Sequence, residues 1–69
     1  MSIQVQMEID AFKRQLLEGR LAQLSEKQRA LFHKAYPAPI ASHKLELAID
    51  LCDRTIRRNI ADPSRLEQP

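Results

Sequence analysis

This 69-residue chain has one glycine, one cysteine, no tryptophan, one tyrosine and two phenylalanines. Each scarcity excludes something. With Gly19 the sole glycine, no glycine-rich phosphate loop can be built. With Cys52 the sole cysteine, no disulfide can form within the chain. One cysteine and two histidines, His33 and His43, are too few for a recognisable zinc ligand set. No metal or cofactor is therefore expected. No apolar run approaches the roughly 20 residues of a membrane span, so no membrane insertion is expected. No nucleophile elbow, paired metal histidines or Cys-x-x-Cys occurs, and the expectation is a protein that is not an enzyme. Met1-Ser2-Ile3-Gln4 has neither the basic nor the apolar region of a secretory signal. Together with a lone thiol, that points to a reducing cytoplasm.

Eleven basic and nine acidic residues leave a net charge of only +2. That is below the excess of a typical nucleic-acid binder, and the signs are mixed along the chain. A domain this short buries only about 60% of its unfolded surface. Without a disulfide or a metal it needs idealised packing or a second chain, so a homodimer is expected.

Ile3, Val5, Met7 and Ile9 alternate with polar residues, which predicts a short N-terminal strand or a lead into the following helix. A single strand cannot stand alone; its natural partner is the same strand of a second copy. Ile9, Phe12, Leu16, Leu17, Leu21 and Leu24 then recur at helical spacing and predict a first helix with a broad apolar stripe. Gly19 within it reads as a tolerated helix glycine, with close helix–helix approach as the sharper alternative. Ser25 and Gln28 form a capping-box signature for a second helix over residues 26–35, with Leu31, Phe32 and Ala35 turned inward. Tyr36-Pro37-Ala38-Pro39 stops it. Ser42 is placed to cap a third helix over residues 43–61, whose stripe is Leu45, Ala48, Ile49, Cys52, Ile56 and Ile60, widened by Leu47 and Leu51. Asp62-Pro63 ends it. The expected fold class is thus mostly α: three helices plus the short strand, in an intertwined homodimer. Residues 1–63 form the single domain and 64–69 a polar tail.

Two surfaces stand out. His33, Lys34 and Tyr36 combine an aromatic corner with positive charge. Core packing is the first reading of Tyr36, a protein-binding anchor the second, and base stacking the third. Arg54, Arg57 and Arg58 form the densest basic patch; they offset the helix dipole, and they also suit an acidic protein surface or phosphate. Cys52 lies on an apolar stripe and reads as a small buried hydrophobe. Tyr36, His33, Lys34, Arg54, Arg57 and Arg58 are the candidate partner face; Ile3, Val5, Met7, Phe12 and Leu16 are the candidate dimer contact.

Two resemblances follow. An alternating strand with Ser2, Gln4 and Gln6 on one face and Ile3, Val5 and Met7 on the other, followed by capped helices, resembles the ribbon–helix–helix family of dimeric DNA-binding regulators. Against it, the strand has no Arg or Lys, Glu8 follows directly, and the third helix is extra. The run Ser25-Glu26-Lys27-Gln28-Arg29-Ala30-Leu31-Phe32 with Tyr36-Pro37, in a short helical chain, resembles phage-encoded anti-activators of quorum sensing. That resemblance implies a small dimer in the bacterial host cytoplasm that inhibits host proteins, such as a quorum-sensing transcription activator or a pilus assembly ATPase, by direct binding. It is the preferred expectation, with nucleic-acid binding as the alternative.

Overall fold

The computed structural model describes residues 3–62. Three helices are present: α1 (Ile3–Leu21), α2 (Glu26–Ala35) and α3 (Leu45–Ala61), with a 3₁₀ turn at Ser42–Lys44. The mostly α expectation holds. There is no strand among the described residues, so the strand over residues 3–7 is corrected to the first turns of α1. The physical reason is local. A helix satisfies its own backbone groups, whereas a lone strand leaves its ladder unpaired. Of the residues quoted for the strand, Met1 and Ser2 lie outside the described residues, as does the polar tail from residue 64 onward.

α1 and α3 run parallel, because their cross-links advance together along both. The Ser42 hydroxyl donates to Asp10, Lys13 meets Glu46 at 2.9 Å, and Arg20 meets Asp53 at 2.8 Å. These ion pairs are open to solvent, so their chief effect is to set register. Ser42 is therefore not the side-chain cap of α3 that its position suggests. It is spent on α1, and α3 starts from the 3₁₀ turn without a side-chain cap. That hydrogen bond is the main reason the Asp10 carboxyl is held below its ordinary range, and the Lys13 ammonium does the same for Glu46.

α2 runs back antiparallel to both. Its capping box forms as the sequence predicts: Ser25 Oγ accepts from the Gln28 N–H at 3.1 Å, and Gln28 Oε1 accepts from the Ser25 N–H at 3.0 Å. Arg29 ties α2 to the end of α1 by donating to the carbonyls of Leu24 and Leu21 at 3.1 and 3.4 Å, the latter also accepting from the Leu24 N–H. At the other end Arg14 donates to the Ile40 carbonyl at 2.9 Å and holds down the proline linker.

Leu17, Leu24, Phe32, Leu45, Ala48 and Cys52 form the buried core, edged by Leu21, Tyr36, Ile40, Ile49, Leu51 and Ile56. At about 1.5–3 kcal/mol for each large side chain, that is a thin core for a chain of this length. Four residues expected inside are not. Leu31, Ala35, Leu47 and Ile60 are exposed, because α2 and α3 each bury only a narrow stripe. Gly19 matches the plainer of its two readings: a Cβ built there would meet nothing within 4 Å of the chain.

One polar pair crosses the core. Gln28 Nε2 donates to Asn59 Oδ1 at 2.9 Å, and Asn59 Nδ2 donates back to Gln28 Oε1 at 3.0 Å. Asn59 is buried, and no buried side-chain polar atom among the described residues lacks a partner.

Candidate protein-binding surfaces

The large exposed apolar residues are Val5, Met7, Ile9, Phe12, Leu31, Leu47 and Ile60. They outnumber the large apolar residues in the core, and they are not scattered at random. Every described side chain from residue 5 to residue 9 is exposed. Asp10 is already level with the 3₁₀ turn that precedes α3, so the first turns of α1 project past it.

A helix turns about 100° per residue, which sorts the predicted dimer contact. Val5, Ile9, Phe12 and Leu16 follow one another at steps of four, three and four and share one stripe. Phe12 is 61% exposed and Val5 45%. Met7 is about 200° away from Val5, on the opposite side. The strand pattern grouped Val5 with Met7; the helix separates them and brings in Ile9 instead. Ile3 begins α1, and its side chain is outside the described residues.

The stripe widens onto α3 through a shallow depression floored by Phe12, Leu16 and Ile49. Glu46, Asp50 and Asp53 rim it. Each of these acids already meets a cation of its own chain: Lys13, Arg54 and Arg20 respectively. The flank of the apolar stripe is therefore close to neutral.

Tyr36, at the end of α2, is half-buried and stacks on Phe32 with ring centroids 5.5 Å apart. It packs against the core, as its first reading has it. His33 lies edge-on to Phe32 at 5.3 Å and is exposed, as is Lys34. Arg54, Arg57 and Arg58 are all exposed; Arg54 meets Asp50 at 3.1 Å, while Arg57 and Arg58 make no ion pair among the described residues. Asp53, the nearest other acid on α3, meets Arg20.

Between α2 and α3 lies a groove of about 230 Å³. Phe32, Cys52 and Leu24 form its floor, Leu31 and Leu51 its walls. Gln28, Thr55 and Arg58 line its polar side. Sequence patterning missed this groove, because it placed Leu31 in the core beside Phe32.

Cys52 is fully buried, and burial, helped by the Asp53 charge, pushes its thiol up to about 11. The expected result is slow alkylation: at neutral pH the thiolate is about 100-fold scarcer than for an unshifted thiol, before any loss of access is counted. Iodoacetamide labelling should therefore proceed only as the fold opens, and should accelerate through the urea transition. Labelling in native buffer as fast as a free thiol would show that Cys52 is accessible and reactive.

Among the described residues, no group of His, Cys, Asp and Glu is arranged to hold a metal ion, and no helix is long and apolar enough to cross a membrane. No protein-family model, curated protein or solved structure matches this chain.

Proposed function

We propose that this chain is a non-enzymatic protein-binding module that works as a homodimer and inhibits a bacterial host protein by holding it. The observation that carries the reading is the stripe Val5, Ile9, Phe12 and Leu16, exposed at its first three positions and half-buried at Leu16, on a helix whose first turns project past α3. Steps of four, three and four are the spacing of a coiled-coil seam. Stable monomers seldom leave such a seam in water. Its neutral flank lets two copies approach without charge repulsion. The expected intertwined dimer is thus reassigned from strand pairing to helix packing along α1.

Inhibition of a host regulatory protein, such as a quorum-sensing activator or a pilus assembly ATPase, in the host cytoplasm is what the resemblance to phage anti-activators implies. It is supported by the shared small, helical layout and by a second exposed surface, on α2 and α3, that the dimer leaves open. The ribbon–helix–helix alternative needs a strand over residues 3–7, where α1 is helical.

Sedimentation velocity over a range of concentrations tests self-association: a dimer mass is expected, and a monomer at every concentration overturns it. A tagged pull-down from bacterial lysate with nuclease tests the partner. One or two proteins retained after nuclease are expected. Recovery of DNA, with protein enrichment lost on nuclease treatment, would replace this reading with nucleic-acid binding.

A further inference from the structure

We infer that the groove between α2 and α3 is the seat of an acidic amphipathic helix of the partner protein. This rests on the reading of the chain as a protein-binding module and names the chemistry of what it binds.

Shape comes first. An apolar cavity of about 150 Å³ holds benzene, so about 230 Å³ takes one leucine- or phenylalanine-sized side chain. Leu31 forms one wall and is 60% exposed, so the wall stands open to solvent rather than closing over the floor. The apolar surface also has a direction. Leu47 and Leu51 lie one turn apart along α3, and Leu47 is 61% exposed. A strip with that repeat matches a partner helix carrying apolar residues at three- and four-residue steps. No sheet edge among the described residues offers an extended peptide a ladder to join.

Charge selects the sign of the partner. Arg58 lines the groove and makes no ion pair among the described residues. On α2, Lys27 and Lys34 sit one turn either side of Leu31, on the same face, and both are exposed. Arg54, one turn before Arg58, already meets Asp50, and Asp62 follows Arg58 at the helix end. Lys27, Lys34 and Arg58 thus surround an apolar slot with positive charge. A helix with a leucine or phenylalanine stripe flanked by Glu fits both features. A bare polyanion would leave the apolar slot unfilled. The one ring that lines the groove, Phe32, is buried and offers no face for a base to stack on.

Fluorescence anisotropy with three labelled designed peptides tests this. One is a helical peptide with a leucine stripe flanked by Glu, the second has Lys in place of Glu, and the third is a scramble of the first. The Glu peptide should bind at least about tenfold tighter than either of the others. Leu31→Asp should abolish that binding. Arg58→Glu should weaken it about tenfold while improving binding of the Lys peptide. Both residues are exposed, so helical content should be unchanged by circular dichroism. Equal binding of the Glu peptide and its scramble, or no binding of the Glu peptide, overturns the proposal. So does a Leu31→Asp chain that loses its dimer mass, which would make the groove a contact between copies. Tighter binding of a single-stranded oligonucleotide than of the Glu peptide, lost with Arg58→Glu, would assign the patch to nucleic acid. A wild-type monomer that still prefers the Glu peptide would sink self-association and leave the groove assignment standing.

Discussion

Gln28→Ala should lower the stability of the folded chain by about 2 kcal/mol. The side chain serves two elements at once. Its Oε1 accepts from the Ser25 N–H and from Asn59 Nδ2, and its Nε2 donates to Asn59 Oδ1. Truncation removes half of the capping box and strands a buried amide. An unsatisfied buried group costs about 1–3 kcal/mol, and a lost cap about 0.5–2 kcal/mol. The sum is held toward the lower end because Gln28 lines the α2–α3 groove, so water can reach part of the vacated space. Urea unfolding followed by circular dichroism gives the number. Removing both amides separates the two contributions. The double variant Gln28→Ala with Asn59→Leu should recover part of the loss, because no buried polar group is then stranded, while the cap stays broken. If the double variant is destabilised by the full sum of the two single changes, the amides act independently and the clasp carries no coupling.

That pair marks the boundary of what the sequence can say. The Ser25–Gln28 half of it is local, three residues apart, and α2 begins and ends where its cap and its prolines predict. Asn59 is 31 residues from Gln28, and nothing local pairs them. Ser42 shows the same limit from the other direction. Its position suits a cap for α3, but Asp10 on α1 takes its hydroxyl once the helices align. The stripe of α3 was legible because Leu45, Ala48 and Cys52 repeat at helical spacing and are fully buried. Leu31 and Phe32 were not separable in the same way: adjacent apolar residues point about 100° apart, and only the tertiary contact decides which one reaches the core. The start of α1 stays open between strand and helix in the sequence, because the apolar residues at 3, 5, 7 and 9 satisfy a period of two, and a window that short does not distinguish a strand from a helix that has apolar residues all round. Ile3, Val5 and Met7 share a face only in a strand; around the helix Val5 joins Ile9, Phe12 and Leu16 instead.

Phe12→Asp should turn the dimer into a monomer while leaving the helices intact. Phe12 is 61% exposed in the single chain, so the substitution touches no core contact and should change monomer stability by no more than about 0.5 kcal/mol. In a seam formed by Val5, Ile9, Phe12 and Leu16 of two copies the same carboxylate would be buried against apolar side chains, and the nearby cation, Lys13, already meets Glu46. An unpaired buried charge costs several kcal/mol, so the dimerisation constant should fall at least about 100-fold. Sedimentation velocity reads the mass, and circular dichroism confirms that helix content is unchanged. Met7→Asp is the decisive control. Met7 is 66% exposed and about 200° around α1 from Val5, so it lies off the seam and its charge should leave the dimer mass unaltered. Loss of the dimer in Met7→Asp but not in Phe12→Asp would move the contact to the other side of α1. Loss in both would mean that the copies wrap the projecting turns on all sides, which two helices packed along one seam cannot do.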